Sequence, residues 1–545
     1  MTRKPAFGPR WLITGRLRLT SELHLGTGER RPDDALRGPR MTEDETPDIA
    51  LVAGSDTGRP YIPGTSLKGA LRAWINRHLA QLAPDGLITD DWQQDVFGYV
   101  TTRSDRPGEE DDGLGGRVII GDAEVSATQT IQPAREARIA IDPRTRTVDG
   151  RRLFHQQTLP PGTVFNIRVV IETPPAEDGR QLVPSAEIAQ ALLTAFAGFD
   201  TGPEETRIRL GADKGMGKGA AVFELGEVRC YDEEIVKLWL GSGGKDRWDD
   251  ARAVAKRARR KADALLQEHK MQWKNARPAG PMPSWPWIFA VTIDLHFTSR
   301  LLMSSPDPSA RRAHAEKRRQ VEDGGIEPLV LEYRRTSTGD PALPATSVKG
   351  VLRARVQRIL NTIFTTTGQA MADGLTGTLF GSVGHRGRVR IGTPQIAQRS
   401  FSRVEQEYIA LDRFSGGGAD GRKFKVAGIE NGHWSVPVTL NLEGLEEDQR
   451  IFCFACMCLL FKDLADGDVT FGHGAARGYG RSKATIRDLR IGEALDSDVW
   501  STLRGIGPET NLMTSEVFIL TARQALRKLH AAKASVTDIS AGDAS

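Results

Sequence analysis

The sequence predicts an α+β fold class: two tandem ferredoxin-like domains, each of β-α-β-β-α-β order as in RNA-recognition-type sheets. Two observations lead to this prediction. The segment YIPGTSLKGALR at Tyr61–Arg72 returns as ALPATSVKGVLR at Ala342–Arg353. Further motifs then follow each copy in the same order, and an internal repeat of this length indicates one domain used twice.

Each half reads as the same succession of elements. A strand comes first, then the helix of the repeated segment, a short strand and an extended segment. A third strand, a helix, a glycine-rich loop and a last strand complete the half, which favours an antiparallel sheet with helices on one face. The predicted strands are Gly15–Gly26, Gly116–Asp122, Val164–Glu172 and Ala220–Val228, matched by Ile293–Ser304, Gly387–Thr393, Val436–Leu442 and Ala484–Ile491.

Length and composition suggest where the domains begin and end. At 545 residues the chain has room for two full hydrophobic cores. Residues 246–272 are highly charged and helix-forming, and the Pro-rich residues 276–287 then break the helix. We therefore predict a first domain at 1–235, a linker at 236–286, a second domain at 287–495, and a C-terminal helix with a disordered tail at 496–545.

The charge balance limits the function classes. With 74 basic and 70 acidic residues the net charge is only +4, so any site for a polyanion must be local. The longest apolar run, Ile451–Phe461, is too short for a membrane span, and the N-terminus lacks the apolar core of a signal peptide. Four cysteines favour a reducing cytoplasm. Three of them lie in one apolar helix, which predicts buried thiols and no zinc.

The repeated helix is a candidate anion site. Packing alone would preserve its apolar positions, whereas the two copies also share Thr, Ser, Lys and Arg. The Thr–Ser pairs stand where N-caps are expected, the basic residues share one helix face, and a helix N-terminus attracts phosphate. The alternative is a capped helix with a solvated basic edge. The residues concerned are Thr65, Ser66, Lys68 and Arg72, and Thr346, Ser347, Lys349 and Arg353.

The glycine-rich loops, GADKGMGKG at Gly211–Gly219 and GHGAARGYGRSK at Gly472–Lys483, are a second candidate. Glycine lets the backbone approach a polyanion closely. Neither loop completes the phosphate-binding pattern G-x-x-x-x-G-K-[ST] between a strand and a helix, which disfavours a nucleoside triphosphate. A purely structural turn is the alternative. The basic residues of these loops include Lys214, Lys218, Arg477 and Arg481.

The repeated IPGTSLKGALR segment, the segment from Ile139 to Phe154 and the glycine-rich loops resemble the RAMP superfamily. More closely, these segments resemble the backbone subunits of type III CRISPR–Cas effector complexes, here as a fused pair. This resemblance implies RAMP domains that stack along a CRISPR RNA together with other subunits. It also implies that they hold the sugar-phosphate chain of the guide without reading its sequence.

The resemblance also identifies two thumbs, extended hairpins that wedge between guide and target RNA in this family. They match IAIDPRTRTVDGRRLF from Ile139 and IALDRFSGGGADGRKFKV from Ile409. Their basic residues would contact RNA, although a solvated hairpin arm is the alternative for each of them. They are Arg144, Arg146, Arg151, Arg152, Arg413, Arg422 and Lys423.

In the family, an acidic residue in the loop after the first strand cuts complementary target RNA with a divalent metal. Asp307 occupies the matching position of the second half, and Glu29 that of the first, with Asp33 and Asp34 slightly later. The resemblance thus implies Mg²⁺ or Mn²⁺ as cofactor, with Asp307 as a possible ligand. The first half departs from the expected Asp, and an Asp before Pro is also a common turn former.

Three rival functions stay open on the sequence. The chain could be a scaffold of the same complex without cutting activity, both acidic loops being structural. It could be a CRISPR-RNA processing endonuclease, which needs a histidine base; His24 is available in the first half, but Leu302 takes its place in the second. The third is a general RNA-binding pair of ferredoxin-like domains.

Overall fold

The computed structural model describes residues 8–32, 48–52, 54, 58–79, 89–101, 112–141, 148–174, 182–241, 247–268, 273–274, 277–278, 285–304, 330–336, 339–364 and 369–532. None of the helices in these ranges is long and apolar enough to cross a membrane. The mixture of helices and strands confirms the predicted α+β class.

In the first half, the strands are β1 Arg10–Leu19, β2 Gly26–Pro32, β3 Asp48–Val52, β4 Tyr61–Ile62, β5 Gly98–Thr101, β6 Asp112–Gly115, β7 Val118–Ile120, β8 Ala123–Glu124, β9 Ala134–Ile141, β10 Val148–Thr158, β11 Val164–Ile171 and β12 Ala221–Tyr231. Its helices are α1 Gly64–Trp74, α2 Asp90–Phe97 and α3 Ser185–Ala197, with a π-helical turn at Ile75–Leu79 and a 3₁₀ turn at Glu204–Thr206. Between the halves lie α4 Glu233–Gly241, α5 Arg247–Glu268, β13 Trp273–Lys274 and β14 Arg277–Pro278.

In the second half, the strands are β15 Ile288–Phe297, β16 Val330–Glu332, β17 Val389–Ile391, β18 Gln395–Gln398, β19 Ser402–Leu411, β20 Gly418–Glu430, β21 His433–Asn441 and β22 Ser482–Ile491. The helices are α6 Ala345–Ile363, α7 Gln369–Phe380, α8 Glu447–Asp466, α9 Asp498–Arg504 and α10 Glu516–Ala532, with 3₁₀ turns at Ala475–Arg477 and Leu512–Thr514.

The central sheets of the two halves correspond strand by strand. The first has the order β12-β1-β11-β7, and the second β22-β15-β21-β17 with β18 also paired to β21; all these pairings are antiparallel. Side chains of β1 alternate between buried and more exposed positions, as expected for a sheet with one covered face. Helices α1 and α3 cover the first sheet, and α6 and α8 the second, so each half has its own hydrophobic core.

The two predicted thumbs are long antiparallel hairpins beside the central sheets. Strands β9 and β10 belong to a sheet of order β2-β3-β10-β9, and β19 and β20 to one of order β16-β20-β19. The charged segment predicted to link the halves forms α5, which packs on β12 and buries Ala262 and Leu266 in the first core. The C-terminal α9 and α10 add Trp500 and Phe518 to the second core.

The predicted N-caps of the repeated helices are wrong. Helices α1 and α6 begin at Gly64 and Ala345, after Pro63 and Pro344, and neither has a side-chain cap. The proline fixes an extended backbone directly before the helix, so Thr65, Ser66, Thr346 and Ser347 lie inside the first turn. The Gly64 N–H instead donates to Asp122 Oδ1 at 2.7 Å.

Candidate nucleic-acid interface

The basic face of α1 lies beside an aromatic ring. The Lys68 ammonium is 6.0 Å and the Arg72 guanidinium 5.9 Å from the centre of the Phe97 ring, within cation–π range. Burial, and then the charge of Arg72, lower the pKa of Lys68. The two predicted residues therefore form one half-buried cationic site at the end of α2.

The matching face of α6 is more enclosed. Burial lowers the pKa of Lys349 to about 8, helped by the charges of Arg353, Arg386 and Arg390 and opposed by Asp213. Arg353 Nη1 donates to the Gly381 carbonyl at 2.7 Å, so its side chain crosses to the end of α7. Lys349 thus lies among other cations. A bound phosphate group would reduce their mutual repulsion and stabilise the charged form of Lys349.

The first glycine-rich loop reaches this face of the second half. The Ile391 N–H donates to the Gly215 carbonyl at 2.9 Å, and Thr393 Oγ1 donates to the Gly217 carbonyl at 2.9 Å. A Cβ placed on Gly215 would lie 3.7 Å from Lys349 Nζ. The loop of one half and the repeated helix of the other therefore form one composite surface.

We call Lys214, Lys349, Arg386 and Arg390 the junction cluster. Burial and the charges of Arg386 and Arg390 lower the pKa of Lys214. Burial and neighbouring arginines lower the pKa of Arg390 to about 10, opposed by Glu204. Arg386 is exposed and the other three are half-buried, so the cluster opens to solvent on one side.

Lys218, the other predicted lysine of this loop, is buried inside the protein. Its ammonium forms ion pairs with Glu136 and, at 3.3 Å, with Glu22. Arg334 of the second half pairs with the same carboxylates at 2.8 Å from Glu22 and 3.1 Å from Glu136. These four residues, which we call the first node, join the glycine-rich loop, the base of the first thumb and the second half.

A corresponding second node lies at the other glycine-rich loop. The Tyr479 hydroxyl donates to Gln406 Oε1 at 3.0 Å, and Arg300 Nη1 donates to the same oxygen. Arg300 Nε also pairs with Glu430 at 2.6 Å. These residues, with Tyr408 whose hydroxyl lies 2.9 Å from that of Tyr479, form the second node.

Three predicted arginines of the second half lie at this loop and in the turn of the second thumb. Arg477 is exposed, with its guanidinium 4.9 Å from the Phe424 ring centre and 5.2 Å from that of Tyr408. Arg481 is exposed at the loop end. Arg413 is exposed in the turn between β19 and β20, next to Phe414, which is 100% exposed.

Several predicted residues have no described side chain. Arg144 and Arg146, and the acidic candidates Asp33, Asp34 and Asp307, lie outside the described residues. For the remaining predicted residues only the backbone is described, on β10, β20 and β2: Arg151, Arg152, Arg422, Lys423 and Glu29. Within the described ranges, no three His, Cys, Asp or Glu residues are grouped as metal ligands would be.

The histidine and cysteines of the rival hypotheses are buried. His24 is 7% exposed, and its Nδ1 lies 2.7 Å from the Gln157 carbonyl, which disfavours a catalytic base open to substrate. Cys453, Cys456 and Cys458 lie in the core on α8, and burial raises the pKa of Cys453 to about 12.

Sequence reasoning missed Arg386, Arg390 and Arg334 as candidates. The first two belong to the segment HRGRVRIG, whose density of arginines beside a glycine is a usable signal. Arg334 carries no such signal, because its carboxylate partner Glu22 is 312 residues away in sequence.

Comparison with known proteins agrees with the repeat. The chain matches the RAMP superfamily over residues 16–223 and 237–483, one region for each half. No curated protein matches it. The matched regions contain both repeated helices, both predicted thumbs and both glycine-rich loops and make up more than half of the chain, which therefore belongs to the RAMP superfamily.

Proposed function

We propose that this protein is a double backbone subunit of a type III CRISPR effector complex that binds CRISPR RNA and cleaves complementary target RNA. RAMP membership implies a CRISPR-associated RNA-binding module. The sheet order β12-β1-β11-β7, with helices α1 and α3 on one face, supports assigning each half to the ferredoxin-like topology. CRISPR RNA, target RNA and other effector subunits are the partners in this proposal.

The junction cluster is the observation that carries the RNA-binding proposal. Its four cations come from both halves, and burial together with neighbouring arginines lowers the pKa of Lys214, Lys349 and Arg390, although the whole chain has a net charge of only +4. Half-buried like charges are costly unless a polyanion lies among them. Contacts of this kind bind a sugar-phosphate chain without reading its sequence.

The other basic sites extend this surface. Lys68 and Arg72 beside Phe97 combine cations with an aromatic ring, as do Arg477 beside Tyr408 and Phe424. Such combinations hold single-stranded RNA by charge and stacking. Lys218 is left out of the proposed contacts, because its ammonium is already paired with two carboxylates.

Charge removal in the junction cluster tests RNA binding. Lys349→Gln with Lys214→Gln should weaken binding of guide RNA equally for all sequences, and the salt slope should become shallower by about one unit per lost phosphate contact. Lys462→Gln is the matched control, because Lys462 is exposed and pairs with Asp466 on the helix α8. Equal affinity and salt slope in all three proteins would contradict the proposal.

We propose further that Asp307 holds a divalent metal at the scissile phosphate of target RNA. Carboxylate oxygens are the ligands that Mg²⁺ and Mn²⁺ prefer, and the metal would stabilise charge on the phosphate. Glu29, Asp33 and Asp34 are the corresponding candidates of the first half.

Asp307→Asn should abolish one cut in target RNA while guide and target binding stay unchanged, since the basic surface is intact. Asp33→Asn with Asp34→Asn should remove a second cut if the first half is active. The assay uses an assembled complex with matched target and Mg²⁺, with chelator as a further control. An identical cutting pattern in all variants would favour the scaffold function.

A further inference from the structure

A cavity between the two halves is lined by polar groups that have no partner in the described part of the chain. Its volume is about 500 Å³, and it is open to solvent. The first half contributes the π-helical turn after α1, and the second half contributes the residues before β15 and the turn after β21. The polar and aromatic lining consists of Asn76, Arg77, Trp285, Trp287 and Glu443. Ligand sites of this size often lie where domains meet.

Two tryptophans of this lining carry indole N–H groups that lack an acceptor. Trp285 is 4% exposed, and its indole N–H donates to no group in the described ranges. The indole N–H of Trp287 is equally unpaired there. Trp74 shows the usual arrangement, since its Nε1 donates to the Thr206 carbonyl at 2.8 Å. A buried donor without an acceptor costs free energy, so the lining has the chemistry of a site that a ligand with acceptor atoms completes.

The other three polar side chains of the lining are exposed and also lack partners among the described residues. Asn76, Arg77 and Glu443 make no side-chain hydrogen bond or ion pair with a described residue. The Arg77 guanidinium lies 5.1 Å from the centre of the Trp285 ring. The cavity therefore offers donors from a guanidinium, an amide and two indoles, and acceptors from an amide and one carboxylate.

A second cavity of similar size has a different lining. It has a volume of about 460 Å³ and lies between α6, α8 and α10. Its lining Asp463 pairs with Arg355 at 2.5 Å, and Thr362 Oγ1 donates to the Arg358 carbonyl at 2.9 Å. The carboxylate and the hydroxyl of that cavity are used within the protein, whereas the polar groups between the halves are left for a ligand.

The wall formed by residues 285–287 is fixed by the second half. The Leu442 N–H donates to the Trp287 carbonyl at 2.8 Å, and the Ala494 N–H donates to the Pro286 carbonyl at 3.0 Å. A Cβ on Gly492 would lie 2.3 Å from the Pro286 carbonyl oxygen, so this close packing requires glycine. On the side of the first half, the π-helical turn departs from the regular helix, as single turns of this kind frequently do at functional sites. A wall that is ordered beforehand lowers the entropy cost of binding.

The charges around the cavity favour an anionic ligand. Besides Arg77, Arg390 lies near the wall, with its guanidinium 5.8 Å from the centre of the Trp285 ring. Arg450 lies 4.2 Å from the centre of the Trp287 ring. The lining has a single carboxylate against these three guanidinium groups. A proline-rich peptide also fits grooves lined by tryptophan, but it brings no anion to the arginines. A nucleotide combines a phosphate with a flat ring whose edge carries donors and acceptors.

We propose that this cavity binds a ribonucleotide, with the phosphate at Arg77 and the edge of the base at Asn76 and Glu443. The indole N–H groups of the wall find acceptors in the ligand, and their apolar rings cover the base. A free nucleotide and the last nucleotide of an RNA strand present the same chemistry, and the experiment distinguishes them. The site is separate from the repeated basic face, because Arg77 lies nine residues beyond Lys68, about 13 Å along the helix. It needs no bound guide RNA, so it holds or fails independently of the proposed function.

Calorimetric titration of the full-length, RNA-free protein with each of the four ribonucleoside monophosphates tests the site. We expect one nucleotide per chain with a dissociation constant on the order of 100 μM. Arg77→Gln should weaken this binding at least about tenfold, since it removes the charge-assisted bond to the phosphate. Arg358→Gln is the matched control, because Arg358 is an exposed arginine that lines the other cavity. Its nucleotide affinity should equal that of the native protein.

Photolabelling of the native protein locates the ligand without any substitution. 8-Azidoadenosine 5′-monophosphate should label residues 73–77 or 285–287, and unlabelled AMP should prevent the labelling. A 5′-phosphorylated RNA pentamer that displaces AMP assigns the site to the end of a strand, and a pentamer that does not displace AMP assigns it to the free nucleotide. No binding of any monophosphate at concentrations on the order of 10 mM overturns the proposal, even where a proline-rich peptide binds. Equal nucleotide affinity of the Arg77→Gln and native proteins, or labelling confined to other parts of the chain, overturns it as well.

Discussion

The two nodes occupy the same place in the repeated fold and have different chemistry. The first combines Lys218, Glu136 and Glu22, all of them charged and largely enclosed. The second has Tyr479, Gln406 and Arg300 at the corresponding positions, with Glu430 completing the ion pair. The fold therefore requires a polar group at each position but does not fix its charge.

The difference between the nodes follows from what covers them. The first node lies against the second half, and Arg334 of that half pairs with both of its carboxylates. Among the described residues, the contacts of the second node all come from the second half. A duplicated domain thus keeps its backbone while its polar contacts differ with its position in the chain.

The largest effect is expected at the first node. Arg334→Met removes the cation that pairs with both Glu22 and Glu136, and losing one partner of an enclosed network should lower the unfolding free energy by about 3 kcal/mol. Arg300→Met in the second node should cost only about 1 kcal/mol, because the Arg300–Glu430 pair is one-third exposed. Urea unfolding measures both, and equal losses would show that the nodes are energetically alike.

An intermediate effect is expected in the loops. Gly217→Ala and Gly478→Ala both place a side chain at positive φ, which costs about 1 kcal/mol. Only Gly217→Ala also presses a Cβ against the backbone of the other half, so it should cost about 1 kcal/mol more. Thermal unfolding of the native protein and the two variants gives the comparison. A larger loss for Gly478→Ala would contradict it.

The smallest effect separates the two repeated lysines by pH. The pKa of Lys349 is lowered from 10.5 to about 8. Above pH 8 the Lys349 amine is mostly neutral and must take up a proton before it can bind a phosphate group as a cation. The affinity for RNA should therefore fall up to about tenfold between pH 7 and 9. The unfolded chain keeps this proton up to its usual pKa, so the unfolding free energy should instead rise with pH above 8. Fluorescence titrations and urea unfolding measure the two trends.

Lys349→Arg is the control for this pH dependence, because arginine stays charged throughout the range. Its RNA affinity should lose most of the pH dependence, while Lys68→Arg should retain it. A native protein whose affinity is flat from pH 7 to 9 would exclude Lys349 as a titrating phosphate contact.

The sequence predicted the α+β class, the correspondence of the halves and both glycine-rich loops, because these depend on local patterns. Helix caps were predicted wrongly, since Pro63 and Pro344 start the helices without help from Thr or Ser. The junction cluster and the ion pairs of Lys218 could not be predicted from the sequence. They depend on which loop meets which half, and Lys218 is 82 residues from Glu136 in sequence.

The four thiols divide unequally between the two cores, and this makes each core measurable by itself. Cys230 lies on β12 in the first core, and the other three lie on α8 in the second. Burial raises the pKa of Cys230 and Cys453 to about 12, so neither reacts with an alkylating reagent until its surroundings open. Mass spectrometry of timed alkylation of the intact chain would therefore measure two opening rates. The adduct on Cys230 reports the opening of the first half, and the adducts on the other three cysteines report that of the second half.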